Sequence, residues 1–168
     1  MDEQSDLAAQ YRCVLGHFPS GVVVVTGRCD DGPAGLTVQS FTALSLQPPM
    51  ILLSIDRKST TWPRIAATGK FAVNILAQGQ EAVAMAFAKS GADKFAGIDW
   101  APGEATGAPL LRGCQAWIEA ETAAVHDGGD HVIVTADVRS LRADSDVAPL
   151  IFFRSAFHRL DQPVPAAG

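Results

Sequence analysis

Long apolar runs are missing from this chain of 168 residues. Stretches such as "GVVVV" and "MILLSI" are strand-length, far below the ~20 residues a helix needs to span a bilayer, so no membrane role is expected. The N-terminal "MDEQSDLAAQ" is acidic and lacks the positive and apolar regions of a secretory signal. Cysteine is scarce: Cys13, Cys29 and Cys114 are odd in number, widely spaced and form no CxxC pair. Neither a disulfide framework nor a cysteine metal site is expected, and a cytoplasmic location follows. His17, His126, His131 and His158 are scattered without metal-ligand spacing. No GxGxxG, GxxxxGK[ST] or GxSxG occurs, so a Rossmann domain, a P-loop and a nucleophile elbow all lack support. Basic excess is absent too. The formal net charge is −5, which argues against nucleic-acid binding. With no internal repeat and no linker, residues 1–168 read as one domain with a core from about 14 to 160. "DQPVPAAG", residues 161–168, reads as a flexible tail.

What is present is mostly strand. "GVVVVTG" is β-branched and ends at the turn cluster "RCDDGPAG". The chain returns through "LTVQSFTALSL" to Pro48-Pro49, and "MILLSI" and "KFAVNIL" read as further strands. "STTWPRIAATG" has N-capping hydroxyls, an early proline and a terminal glycine, which predicts a short helix. "QEAVAMAFAK" predicts a second, with Glu81 in its first turn and Lys89 in its last. In "AWIEAETAAV" a period of two turns Ile118, Ala120, Thr122 and Ala124 inward and Glu119 and Glu121 outward. In "HVIVTADV" it turns Val132, Val134, Ala136 and Val138 inward. "HDGGD" joins the two as a hairpin, and "PLIFFRSAFHRL" supplies a last strand. About seven strands with two short helices predict a mainly β, antiparallel barrel or sandwich.

Three segments carry candidate chemistry. In "AGLTVQSFTALSLQPP", Thr37, Gln39 and Ser40 set hydroxyl and amide groups beside backbone N–H groups. Such a row can hydrogen-bond the edge of a flat heterocycle; the alternative is an ordinary edge strand with polar outward residues. In "SIDRKSTTWP", Ser54 and Asp56 suit a polyol. Lys58, Ser59 and Thr60 suit a phosphate, with plain N-capping as the alternative. "FAKSGADKFAGIDW" adds Lys94 and Phe95 beyond the second helix. His131, straight after a Gly-Gly-Asp bend, is either a strand-cap residue or an imidazole held at the rim of a site.

The order of "FPSGVVVVTG", "GLTVQSFTALSLQPPMILLSID", "STTWPRI", "FAVNIL", "DKFAGIDW", "GAPLL" and "HDGGDH" resembles the short-chain flavin reductase family, from about Phe18 to Phe157. These are the reductase partners of two-component flavin monooxygenases. The resemblance implies an antiparallel split β-barrel of the FMN-binding type. It also implies hydride transfer from NADH, or NADPH, to FMN or FAD, and delivery of reduced flavin to an aromatic-ring hydroxylase. By the same resemblance Thr37, Val38, Gln39 and Ser40 line the isoalloxazine edge. Ser54, Ile55 and Asp56 follow the ribityl chain, and Lys58, Ser59 and Thr60 lie near the phosphate. Phe87, Lys94 and Phe95 close the pocket. His131 sits where the nicotinamide docks, assisted by Phe153 and Arg154, and no metal is implied. A homodimer, with each pocket completed by its neighbour, is implied as well. Gln39 departs from the serine or alanine of many relatives, which leaves FMN-versus-FAD preference open.

Since the cofactors carry the chemistry, no nucleophile is expected. Backbone N–H groups at the ring are expected to stabilise its reduced form. Other readings of the same fold are a tightly flavin-bound electron-transfer protein, a non-catalytic flavin- or haem-binding module, and a pyridoxamine-phosphate-oxidase-like enzyme. Arg57, Arg64 and Arg154 are the cations available to a 2′-phosphate.

Overall fold

The β-branched run after Phe18 builds the middle of the molecule. In a computed structural model describing residues 3–91, 93–144 and 146–160, the chain opens with α1 (Glu3–Leu15) and the two-residue β1 (Ser20–Gly21). There follow β2 (Val23–Cys29), β3 (Gly32–Val38), β4 (Phe41–Leu46) and β5 (Pro49–Asp56), then α2 (Trp62–Ala66), β6 (Lys70–Ile75) and α3 (Glu81–Ala88). A short pair, β7 (Trp100–Pro102) and β8 (Pro109–Leu111), precedes the long hairpin of β9 (Ala116–Gly128) and β10 (His131–Ala143). The small strands β11 (Ile151–Phe153) and β12 (Ala156–His158) come last. The expected tail, 161–168, lies outside the described residues.

Seven strands form one antiparallel sheet in the order β3-β2-β6-β9-β10-β5-β4. The sheet curls but does not close. β3 touches β5 without pairing to it, so the barrel is split along that seam. β2 is buried on both faces, which explains why its sequence is continuous rather than alternating. Val23 and Val25 enter the barrel core with Leu53, Ile55, Ile65, Phe71 and Val134. Val22 and Val24 face a second cluster with Leu76, Phe87, Leu111, Cys114 and Trp117. Full burial of each such side chain stabilises the fold by roughly 1.5–3 kcal/mol.

The outer face of β2, β6 and β9 carries three buried polar residues: Thr26, Asn74 and Glu119. The 99–113 arm covers this face and is pinned by them. Thr26 donates to the Pro109 carbonyl, and the Leu111 N–H donates to Asn74 Oδ1 at 2.7 Å. The N–H groups of Ala105 and Thr106 and the Thr106 hydroxyl all donate to Glu119 Oε2, at 3.0, 2.7 and 2.8 Å. Glu119 therefore does not face solvent, as the alternation predicted. Alternation marks two faces but cannot tell which face a distant arm will cover. Gly103 makes the fit possible, since a Cβ there would lie 2.2 Å from Glu119 Oε2.

Two further expectations change. The 36–46 stretch is two strands broken at Gln39-Ser40, not one. "IFFRSAFH" is a hairpin whose turn residues Arg154 and Ser155 have φ of 48° and 62°. Such left-handed angles cost non-glycine residues roughly 1–2 kcal/mol each, and no glycine is there to signal the turn. Residues 3–15 form a helix and β7 and β8 a small ribbon, elements for which the sequence patterns made no prediction.

Candidate functional site

The seam where β3 fails to meet β5 holds most of the residues singled out by sequence. Among the described residues β3 pairs only with β2, so its other edge faces the seam without a partner strand. At the break after β3 the chain is stitched across. The Ser54 N–H donates to the Ser40 carbonyl at 3.1 Å and to Ser40 Oγ at 3.2 Å, while the Ser40 hydroxyl donates to the Ser54 carbonyl. A depression of about 490 Å³ opens here, lined by Thr37, Val38, Gln39, Ser40, Ser54, Ile55, Asp56, Ser59 and His131, with Leu36 and Ala88. Val38 and Ile55 turn their side chains into the core, so their backbones are what reach the depression. The Thr37 hydroxyl is already committed, donating to the Ala84 carbonyl of α3 at 2.6 Å.

His131 stands directly after the two-residue turn Gly129-Asp130, paired with Gly128 across β9 and with Asp56 across β5. Its Nδ1 lies 2.6 Å from Asp130 Oδ1. An ionised carboxylate only accepts, so Nδ1 carries the hydrogen. Nε2 is then an acceptor in the neutral ring and a donor in the charged one. The hydrogen bond from His131 holds the Asp130 carboxyl below its usual range. Arg57 fixes the turn from the other side. Its backbone N–H donates to the Asp130 carbonyl at 3.0 Å, Nε donates to the Gly129 carbonyl at 3.1 Å, and its guanidinium pairs with Asp127. Sequence gave no sign of this clamp, because Asp127 is 70 residues away. Asp130 lay inside a motif without an assigned role; its contact with the ring gives it one.

The groove continues past Ser59 into a depression of about 310 Å³ lined by Lys58, Ser59, Thr60, Thr61, Ser90 and Lys94, with Asp56 and Phe87. Asp56 Oδ1 accepts from the Lys58 N–H at 2.8 Å, and Ser59 Oγ accepts from the Trp62 N–H at 3.1 Å. The Ser59 O–H remains available to an anion. Among the described residues, Lys58 makes no ion pair. Lys94 behaves differently. Its ammonium donates to the carbonyls of Gly35 and Phe87, at 3.0 and 3.1 Å, and to the Thr61 hydroxyl at 3.3 Å. All three N–H bonds are used, so Lys94 ties β3, α3 and the 60–61 turn together and acts on a ligand by charge. Burial, helped by the nearby Arg64 charge, lowers its pKa. The Phe87 ring belongs to the second core cluster and presses on Gly35, where a Cβ would meet it at 2.5 Å. Phe95 packs edge-on against Phe87 at 4.9 Å and lines a third depression beyond Lys94. Phe153 and Arg154 line none of the three; they sit on the small sheet of β1, β11 and β12.

A larger depression, about 670 Å³, lies elsewhere, beside Trp117, Glu119, Leu141 and Arg142. Arg142 lies at the far end of β10 from His131. Arg142 there caps the Trp117 ring at 4.7 Å, and Glu119 Oε2 already takes three hydrogen bonds from the 105–106 segment. Size alone does not make it the reactive site. The seam instead offers an unpaired strand edge, a hydroxyl-lined channel with a free cation, and an oriented imidazole at the rim. That set fits a flat heterocycle with a phosphorylated polyol tail and leaves its outer face open to a second ring. Among the described residues, no three His, Cys, Asp or Glu are grouped to hold a metal, and no helix is long and apolar enough to cross a membrane.

The profile of the flavin reductase like domain matches residues 15–161. The flavin-dependent monooxygenase reductase subunit HsaB of Mycobacterium tuberculosis is 44% identical over 149 residues, covering 88% of this chain and 79% of that one. Among solved structures, nitrilotriacetate monooxygenase component B from Mycobacterium thermoresistibile superposes with a TM-score of 0.93 at 37% identity, covering 98% of this chain and 94% of its own. The NADH:FAD oxidoreductase SgcE6 of Streptomyces globisporus C-1027, in complex with NAD and FAD fragments, gives a TM-score of 0.87 at 36% identity, with 96% and 95% covered.

Proposed function

The chain belongs to the flavin reductase like domain family, and we propose that it reduces FMN or FAD with NADH and supplies the reduced flavin to a partner monooxygenase. One observation carries the reading: the open edge of β3, the 54–60 segment and His131 converge on a single groove. When both are bound, the nicotinamide supplies a hydride and the flavin ring accepts it. The chain's own work is positioning. The β3 edge meets the polar rim of the ring, Lys58 and the Ser59 hydroxyl meet the phosphate, and the Ser40–Ser54 stitch fixes the width of the seam. Asp130 sets the His131 tautomer, so Nε2 meets the nicotinamide carboxamide as acceptor or donor. NADH is favoured over NADPH because Arg57, the arginine beside the His131 rim, is committed to Asp127 and the Gly129 carbonyl.

Steady-state oxidation of NADH and NADPH with FMN, FAD and riboflavin tests the reading. NADH oxidation that depends on added flavin supports it, and none with any flavin overturns it. Family membership and an exposed apolar row, Leu7, Tyr11, Val14, Leu15 and Phe18, support a homodimer. A monomer by sedimentation equilibrium would remove that part. A single domain and a cytoplasmic location complete the proposal, the latter supported by the free cysteines and by the need for NADH.

A further inference from the structure

The depression of about 670 Å³ beside Trp117 has no part in the function proposed above. We propose that it is a second ligand site, separate from the seam, for a planar aromatic carboxylate. Its volume falls within the roughly 300–1,000 Å³ of small-molecule sites. The floor is held in place, since Trp117 Nε1–H donates to the Leu111 carbonyl at 2.8 Å. Arg142 faces Trp117 across the β9–β10 register and lays its guanidinium over that ring, 4.7 Å from the centroid. Stacking holds a guanidinium by its face and leaves the N–H groups along its edge for a ligand. Arg112 is the other cation of the lining. Among the described residues neither arginine makes an ion pair. The depression therefore contains an oriented cation with donors unspent.

The rest of the lining selects the ligand's class. Leu110, Leu141 and Pro102 give apolar walls, and Leu141 stands 65% exposed beside the guanidinium. A flat arene would cover that aliphatic surface, while a carboxylate joined to it takes parallel N–H···O bonds from the Arg142 edge. Ser140 adds a hydroxyl to the same wall. Carboxylates of the protein set the tolerated charge, because Glu104, Glu119 and Asp144 line the depression as well. Glu119 Oε2 is filled by the 105–106 segment, Asp144 Oδ1 accepts from the Asp146 N–H at 3.3 Å, and Glu104 is exposed. A phosphate or dicarboxylate would bring two charges against these three, so a monoanion fits better. A cation is a poorer occupant still, since Arg142 already covers the Trp117 face. The same acidic surround keeps the expected affinity modest.

Calorimetric titration of the full chain with cinnamate, in the absence and presence of FMN, is the test. The proposal expects saturable binding with a Kd of about 1 mM or below, the same with and without FMN. Cinnamyl alcohol, the arene without the charge, and acetate, the charge without the arene, should each bind at least about tenfold more weakly. Arg142→Gln should weaken cinnamate about tenfold, and Arg142→Lys nearly as much, because an ammonium lacks the planar fork. Arg112→Gln should weaken it about threefold. Both arginines are exposed, so Tm and the FMN Kd should stay near wild type in all three variants. Displacement of cinnamate by FMN would overturn the proposal by placing the acid in the seam. Equal affinity for the alcohol, an unchanged cinnamate Kd in Arg142→Gln and Arg112→Gln, or no binding up to about 10 mM would overturn it as well.

Discussion

Glu119 and His131 lie toward opposite ends of the β9–β10 hairpin, and both contact a loop through a polar side chain. Glu119 is 4% exposed, and one of its oxygens takes three hydrogen bonds from the arm it anchors. His131 has a side chain 39% exposed, with one nitrogen held by Asp130 and, among the described residues, no partner at the other. The first is a buried anchor whose bonded oxygen is filled by protein donors, the second a partly exposed ring with one nitrogen held and the other turned to solvent. Buried polar groups must be satisfied for the fold to stand, whereas a group that serves a ligand must be oriented and still have capacity left. The contrast separates scaffold from site better than cavity size does, since the larger depression lies beside Glu119.

The sharpest way to break the contrast is Glu119→Ala. Two arm N–H groups and a hydroxyl would lose their acceptor, costing about 3 kcal/mol and lowering Tm by roughly 6–12 °C. Calorimetry should show this while the KM for NADH at low temperature barely moves. A large change in that KM would mean that the Glu119 end takes part in the chemistry.

His131→Ala should do the reverse, raising the KM for NADH about tenfold while Tm and the flavin Kd stay near wild type. Unchanged NADH kinetics would take His131 out of the site.

Cys114 measures how well the scaffold end is sealed. Burial pushes its thiol from 9.0 up to about 12. Below pH 9 the proton is bound in both states and this group gives no pH dependence. Between 9 and about 12 the unfolded chain releases a proton that the folded chain keeps, so stability falls as pH rises. By pH 10 the loss is about 1 kcal/mol. Urea midpoints at pH 8 and 10 should differ less in Cys114→Ala than in wild type; equal differences would show the thiol reaching water.

The smallest effect is expected at Arg57. Arg57→Ala loosens the turn beneath His131 and should raise the KM for NADH about threefold, with kcat and NADPH discrimination preserved. A gain in NADPH use would show that the guanidinium has a second role.

The groove's contents were legible because its segments are short runs in chain order. Thr37 to Ser40, Ser54 to Asp56, Lys58 to Thr60 and His131 all line it. The hairpin was legible because period-two alternation is local: Val134 and Ala136 are core residues. What escaped was decided over distance. Glu119 was placed outside because nothing in "AWIEAETAAV" announces that residues 103–108 will fold across it. Lys94 looked like a loop cation at the pocket, and only its contacts with Gly35 and Phe87, elements apart in sequence, make it a clip. Phe153 and Arg154, which the resemblance assigns to the nicotinamide, line none of the three depressions of the single chain.

The unclosed seam has one more consequence. A strand edge presents amide and carbonyl groups that every residue except proline possesses. On the function proposed above, drift in the side chains there, such as glutamine at position 39, can retune flavin affinity while the main-chain means of grasping the ring persists. Such a protein can be adapted to a new oxygenase by altering its margins, with the grip itself encoded in the main chain.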